Sequence, residues 1–559
     1  MSEYATLVLR GRTGCALTEP ARHTLEHDVL PQYLIRQRWF PFPHTQPPQS
    51  ARLVYTTPLS PDTDGEDECF IAEVEITACD GQPQRLFVPS ALIWSEAAVP
   101  PIVLSQQYTL ARIRRSAEVG LLTDAFAVPA FAHAIIQALR EDREIAIGAP
   151  GSRDGVLRFR GEAGLAALDL PADAPVEWFR GDQTNISLSL GGKVRLKLVR
   201  RLNPGVHPEA EMTRRLTQLE FANSPALLGE VIREGSDGTC YTLALVHRHI
   251  VNEGDAWSWT LGYLKRTLHK ATLTGASVEE YDEELAGYAA MASTIGRRLA
   301  ELHSALAAPA ADDPAFSPER ADSAQALQHA AQAIATLHGA LQVLAEHAAC
   351  GKLDGRTLAC TEWLQNHAEA LTQAIRERAR LEQDSLYLRI HGDFHLGQVL
   401  VARTGTGTDA YLIDFEGEPA RPFAQRRAKA TPLRDVAGML RSFDYAAAAA
   451  AMLSLPGFPL TGPACAAPET VGIVNTGNPM VSESAARQLV RREALLSRFV
   501  LSARSAFMQG YHAVAHQAPH PWLKLGAEQS LLELALLERA AYEPPLYRAV
   551  LPSPVRRRR

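Results

Sequence analysis

Cysteine is scarce in this chain and falls into no pattern. Seven cysteines in 559 residues, an odd number with no Cys-x-x-Cys pair, make neither a disulfide framework nor a zinc knuckle. A reducing cytoplasm is the simpler home. An excess of basic charge is missing too: 56 Lys and Arg stand against 63 Asp and Glu, a net charge of −7. Nucleic-acid binders work through a basic field, so that class is set aside. Long apolar runs are absent. Ala446–Ala451 continues into Met452-Leu453-Ser454-Leu455 and stops at Pro456. That is short of the about 20 apolar residues a membrane span requires. Met1–Arg10 has no basic start followed by a long apolar stretch, which argues against a secretory signal. No Gly-x-x-x-x-Gly-Lys-Ser/Thr motif occurs, which excludes a P-loop.

What is present is ordinary globular matter. Hydrophobic residues make up 46% and charged residues 21%, enough to bury a large core. At about 100–200 residues per domain, the length predicts two to four domains. Short alternating runs read as strands over Leu53–Ile76, Arg85–Val88, Val156–Arg160, Val176–Phe179, Ile186–Leu190, Val194–Val199 and Thr242–Ile250. Gly191-Gly192 marks a hairpin. Helical spacing covers Leu25–Phe40, Thr123–Arg140 and Pro208–Leu219. After Ile250 the pattern turns helical. The stripe Leu285, Tyr288, Met291, Ile295, Leu299, Leu302 predicts one long amphipathic helix over Tyr281–Leu306. Ala324–Ala348, Leu358–Arg380, Glu493–Gln517 and Leu525–Tyr542 read as further helices. Pro456–Met480, rich in Pro, Gly and Ala, reads as a long surface loop and an insertion. Arg556–Arg559 reads as a solvated end or an anion-contacting tail. Strands first and helices after suggest two lobes with chemistry in a cleft between them.

The densest chemical signal is His391-Gly392-Asp393-Phe394-His395-Leu396-Gly397-Gln398, followed by Leu412-Ile413-Asp414-Phe415-Glu416-Gly417. Two apolar strands bracketing a loop can bring Asp393 and Asp414 to one end of a small hairpin. Phosphoryl transfer to a hydroxyl needs such a pair. One carboxylate orients the nucleophile and accepts its proton; another, with a neutral oxygen, holds magnesium against nucleotide phosphates. Asp393 fits the base, and Asp414 with Gln398 fits the metal. An Asp after Gly is by itself a common turn residue; it is the joint pattern that carries information. His391 and His395 read as structural braces of the loop. Gly392 between them interrupts any helix, and no Glu follows His391, so a zincin site is not supported.

The strand-rich half offers a partner set. Lys197 sits in an apolar strand and can reach nucleotide phosphates, or can snorkel as a plain strand lysine. Glu209 and Glu211 on the next helix can pair with it; Glu211 is taken as the partner. Arg195, Arg200 and Arg201 read as surface charges. The turn Arg180–Ser187, with Gln183 and Ser187, can cover phosphates or serve as an ordinary hairpin turn.

These residues resemble the aminoglycoside-phosphotransferase and choline-kinase group of small-molecule kinases, and are more similar still to bacterial maltokinases. The likeness runs through residues 391–400, 412–422 and 432–445, through Asp182–Ser187, Lys197–Gly205 and Gly296–His303, and includes Arg36–Phe40. It is strong from about Glu177 to Tyr445, thin outside that span, and resumes at Leu537–Glu543. The resemblance implies an α+β, bilobal, protein-kinase-like fold, with a strand-rich N-terminal lobe and a mostly helical C-terminal lobe. It divides the chain into a cap subdomain (1–100), an intermediate and nucleotide-binding region (101–250) and a helical lobe (251–559) containing the insertion 456–480. It implies ATP and Mg2+ as cofactors and maltose as acceptor. Maltose 1-phosphate would be the product, feeding glycogen-type α-glucan synthesis from trehalose with trehalose synthase as partner. Asp393 becomes the base, Gln398 and Asp414 the magnesium ligands, and Lys197 the phosphate contact. Glu416, two positions after Asp414 and on the same side of an extended segment, becomes a contact to metal or to sugar hydroxyls; Arg421, Arg434, Asp435, Arg441, Asp444 and Tyr445 become sugar-lobe candidates, although Arg434 and Asp435 equally suit a structural ion pair. The chain departs from the family at Pro41-Phe42-Pro43-His44, where Ala-Gly-Lys is usual, and at Pro544-Pro545. A kinase of the same fold for another sugar or an amino alcohol, or a non-catalytic partner of trehalose synthase, are the rival readings.

Overall fold

The computed structural model describes residues 4–10, 16–42, 48, 50–59, 68–77, 83–94, 107–147, 155–179, 186–274, 277–310, 313–405, 407–419, 421–453 and 479–550. Gln183, nearly all of the Pro456–Met480 segment and Arg556–Arg559 lie outside them. The chain divides into two compact units, Met1–Thr217 with Pro225–Ile250, and Gln218–Ser224 with Val251–Arg559.

The first unit is built on two sheets. A seven-stranded antiparallel sheet runs in the order Val176–Trp178, Ile186–Leu190, Val194–Leu198, Cys240–Arg248, Leu227–Gly235, Gly155–Gly161, Glu144–Ile147. Strict alternation along Val194–Leu198 explains its place. Val194, Leu196 and Leu198 are buried on one face, which leaves Arg195 and Lys197 on the other. The second sheet has nine strands and joins Glu68–Thr77, Pro83–Phe87 and Ser90–Ile93 to Thr109–Arg115 and Glu118–Asp124. Strands from both sides of residue 100 therefore share one sheet, so the boundary expected there does not separate two bodies. One apolar core, including Phe87, Phe126, Phe131, Phe159 and Leu196, draws on both sheets and on helix Pro129–Arg140. That helix begins at Pro129 rather than at Thr123. The backbone is still a strand at Asp124, and Pro129, with no N–H to satisfy, stands at the first helical turn.

The second unit is helical. Helix Asp282–Ala307 buries Leu285, Tyr288, Met291, Ile295, Leu299 and Leu302, the whole stripe seen in the sequence. Ser323–Ala349 starts in a capping box between Asp322 and Gln325. Leu358–Arg380 is not one helix: Gly355–Asn366 and Ala368–Arg380 break at His367. The helices reach further than the spacing suggested at the end of the chain, over Pro479–Ala515 and Glu528–Val550. Among its extended elements is the hairpin Val399–Thr404 with Gly407–Leu412. Among the described residues, no helix is long and apolar enough to cross a membrane.

Candidate functional site

In the second unit, residues 391–398 form a loop that enters the hairpin at Val399. The hairpin register pairs Val399 with Leu412, so residues just before the first strand lie beside those just after the second. Ile413 N donates to Gln398 O at 3.0 Å, and the Gln398 amide Nε2 donates to Asp414 Oδ2 at 3.1 Å. The sequence pairing of Gln398 with Asp414 is thus a spatial one. Asp414 has φ +66°, a left-handed conformation that Asp tolerates better than most residues. The Gln398 amide oxygen and the Asp414 carboxylate are hard oxygen donors, the type magnesium takes alongside phosphate and water. Glu416 follows in the turn, half-buried.

His391 braces this arrangement. Its Nε2 donates to Ile413 O at 2.9 Å, and its Nδ1 faces Asp393 N at 3.4 Å. One ring therefore ties the backbone of Asp393 to Ile413, the residue preceding Asp414. His395 accepts from Gly397 N through Nδ1, and burial lowers its pKa, with Asp393 opposing that shift. Both histidines hold the loop.

Helix Leu433–Leu453 fixes the loop from behind through positions 435, 438 and 442, which share one helical face. Asp435 accepts from His391 N at 2.8 Å and Gly392 N at 2.9 Å. Ser442 Oγ accepts from Leu396 N at 3.0 Å. Gly438 lies so near that a Cβ there would sit 2.5 Å from Phe394 O. Gly392, at φ +85°, makes the turn that points both N–H groups at Asp435. Behind Asp435 runs a buried relay. Trp522 Nε1 donates to Tyr511 Oη, Tyr511 Oη bonds His303 Nδ1, and His303 Nε2 bonds Asp435 Oδ2 at 3.1 Å. Burial alone would raise the Asp435 pKa; His303 and the loop N–H groups outweigh it and hold the carboxyl below its ordinary value. Asp435 is accordingly a structural anchor.

Arg434 and Arg421, two of the sugar-lobe candidates, enter an ion-pair network. Arg421 and Arg434 each reach Glu538 Oε1 at 3.2 Å, and Arg421 Nε reaches Glu418 at 2.6 Å. Glu418 also meets Arg539 at 3.4 Å, and Arg539 Nη2 donates to Asp393 Oδ1 at 3.0 Å. Asp393 is thus gripped through one oxygen by a guanidinium from helix Glu528–Val550. Asp444 and Tyr445 are bound by Arg441, and Asp444 also by Arg504. Sequence reasoning missed Glu418, Glu538 and Arg539. The available signal was an adjacent Glu-Arg pair in a helix otherwise rich in buried Leu and Ala.

His329 closes the network between Glu382 at 2.7 Å and Glu538 at 3.0 Å. Burial would lower its pKa, but the two carboxylates push it up to about 10. A folded pKa above the unfolded value of about 6.5 gives stability that is complete below pH 6.5 and lost as pH rises toward 10. Unfolding free energy should therefore decline between pH 6.5 and 10, and His329→Gln should flatten that decline in denaturant titrations. An identical slope in the variant would show that His329 does not stay charged in the fold.

In the first unit, Lys197 Nζ meets Glu209 Oε2 at 2.6 Å, both largely buried. Glu209 takes the place expected of Glu211. On helix Pro208–Gln218, two residues differ by about 200° of rotation, and Glu209 is on the buried side. Ser187 lies directly across the strand pair from Lys197, and its Oγ accepts from Arg195 at 2.9 Å. Arg200 is no surface charge: it is fully buried and pairs with Asp124 at 2.9 Å. Arg201 donates to the carbonyls of Trp39 and Phe40, which ties the Arg36–Phe40 element to the strand Arg201–Leu202. Glu209→Ala should weaken nucleotide binding roughly tenfold, the cost of about 1.5 kcal/mol for one charge-assisted bond. Glu211→Ala should stay within about twofold. Calorimetry with a non-hydrolysable nucleotide reads both, and equal losses would refute the pairing.

No family model matches the chain. A curated glucosamine kinase of Streptacidiphilus jiangxiensis is 29% identical over 299 residues, 52% of this chain and 60% of its own length. One from Mycolicibacterium smegmatis (strain ATCC 700084 / mc(2)155) is 27% identical over 268 residues, 48% of this chain and 58% of its own. The matched region thus spans under two thirds of the length of these curated relatives. A solved glucosamine kinase in complex with glucosamine, ADP and inorganic phosphate superposes with TM-score 0.56 at 18% identity, covering 94% of this chain and 95% of its own. A second solved glucosamine kinase gives 0.53 at 17% identity. The chain therefore shares the fold of these structures.

Proposed function

We propose that the chain is an ATP- and magnesium-dependent sugar kinase whose acceptor is maltose, phosphorylated at its anomeric hydroxyl to maltose 1-phosphate. The observation that supports this best is the loop-and-hairpin arrangement. His391 ties the backbone of Asp393 to that of Ile413, next to the hydrogen-bonded pair Gln398–Asp414. The relatives named glucosamine kinase support sugar phosphorylation in general. The resemblance of residues 391–400, 412–422 and 432–445 to bacterial maltokinases favours maltose among sugars. Trehalose synthase is the proposed partner and α-glucan synthesis the proposed use of the product.

Asp393 accepts the proton of the acceptor hydroxyl through the oxygen that Arg539 leaves to it. The hydroxyl oxygen then bonds the γ-phosphorus, the bond from that phosphorus to the β-phosphate bridging oxygen breaks, and ADP leaves. Gln398 and Asp414 hold the metal, which supplies neutralisation of phosphate charge. Lys197, fixed by Glu209, steadies the nucleotide phosphates. The names of the relatives favour one second reading, transfer to glucosamine.

Product analysis tests the proposal. With maltose, ADP should appear in step with loss of the reducing end. ADP formed while the reducing end persists would refute the anomeric position. Turnover with glucosamine alone would favour the second reading.

A further inference from the structure

Two histidines stand four residues apart where helix Pro479–Ala515 ends. His512 lies in its last turn. His516 follows directly, and its N–H continues the helical ladder by donating to His512 O at 3.1 Å. That spacing puts both side chains on one face. Their rings stack, with centroids 4.8 Å apart and planes 9° from parallel. The chain then runs through residues 516–527 to Glu528, the first residue of helix Glu528–Val550. Glu528 Oε1 meets His512 Nε2 at 2.5 Å. One nitrogen of each ring and one carboxylate oxygen all lie within 4.8 Å of one another.

A hydrogen bond between His512 and Glu528 would be complete without His516. Yet His516 is exposed, and neither of its ring nitrogens has a hydrogen-bond partner among the described residues. Glu528 pairs with no Lys or Arg among them, so no fixed cation occupies its carboxylate. Two imidazoles and a carboxylate suit zinc, which binds such nitrogens and oxygens at about 2.0–2.2 Å. A tetrahedral ion with those bonds spaces its ligand atoms about 3.3 Å apart. The present spacings, from 2.5 Å to at most 4.8 Å, bracket that value, and these side chains are half-buried or exposed and have room to turn. Magnesium prefers oxygen ligands alone and fits this set poorly.

We infer that His512, His516 and Glu528 form a zinc site, distinct from the residues proposed to hold magnesium, with water as the fourth ligand. Its role is structural. The ion would join both ends of the connection 516–527, which carries Trp522, the donor to Tyr511 Oη at 2.7 Å. It would also pin the start of the helix that carries Arg539 about three turns further on. Zinc thus clasps two helices whose side chains support the loop at 391–393, one through Tyr511, His303 and Asp435 and the other through Arg539. None of this depends on which acceptor the chain phosphorylates, or on whether it phosphorylates one.

Calorimetry tests the site on the full chain, freed of metal with a chelator, dialysed, and titrated with zinc chloride in excess magnesium. One zinc should bind with micromolar affinity and raise the melting midpoint, as a ligand of the folded state must. His516→Ala changes an exposed ring that makes no hydrogen bond. Glu528→Gln keeps an acceptor for His512 but loses the charge. Without zinc both should melt close to wild type; each should bind zinc at least about tenfold more weakly, the lower bound seen when only an outer-shell partner is lost. His23→Ala/His27→Ala removes another exposed pair four residues apart that belongs to no three-ligand group, and should bind zinc as wild type does. Absence of zinc binding in magnesium, or unchanged affinity in either His516→Ala or Glu528→Gln, would overturn the inference. So would loss of the bound zinc in the His23/His27 variant.

Discussion

Asp393→Ala is expected to lower sugar-dependent ADP formation by roughly 10²–10⁴-fold, the range a positioned general base contributes, while Mg-nucleotide still binds. Arg539 donates to Oδ1 at 3.0 Å, which keeps the carboxylate in one orientation. Removing it takes away the proton acceptor and the orienting contact together, but none of the residues proposed to grip nucleotide. The His391 brace uses the backbone N–H of residue 393, so the loop should keep its path in the variant. A melting curve close to wild type is the control that separates lost chemistry from lost structure. Turnover within a few fold of wild type, with a normal melting curve, would remove Asp393 from the mechanism.

Asp414→Asn is expected to abolish the magnesium dependence of nucleotide binding. Asn is the better substitution because it tolerates the left-handed backbone at φ +66°, whereas Ala would add strain. Loss of outer-shell partners alone costs metal sites 10–100-fold, so loss of a direct carboxylate ligand should reach at least about 100-fold in Mg-ATP affinity. Affinity measured in a chelator should be the same for both proteins. If magnesium still tightens nucleotide binding equally in the variant, the metal carboxylate lies elsewhere.

The part of the site that could be read in the sequence is the part built from near neighbours in the chain. His391, Asp393 and Gln398 fall within eight residues, and Asp414 returns beside Gln398 because one hairpin separates them. Alternation likewise exposed the Lys197 strand. Contacts set by tertiary packing were not legible. Whether Glu209 or Glu211 meets the lysine depends on how helix Pro208–Gln218 is rotated against its neighbours. Arg539 reaches Asp393 across 146 residues. The ion pairs of Arg421 and Arg434 were hidden for the same reason. Both belong to a charge network completed by Glu538 and His329, far away in the chain. In the fold, Thr123–Arg140 and Leu358–Arg380 misled because helical spacing does not register where a strand ends or where a helix breaks. The boundary at residue 100 failed because a nine-stranded sheet draws on both sides of it.

The central claim is that Asp393, Gln398 and Asp414 transfer phosphoryl to a sugar, and one measurement bears on it most directly. Purified chain is given ATP and magnesium, and ADP is followed with maltose present and with no sugar. The account predicts ADP formation that requires both maltose and magnesium and falls by orders of magnitude in Asp393→Ala. ADP formation indifferent to sugar, or undiminished in that variant, would contradict it.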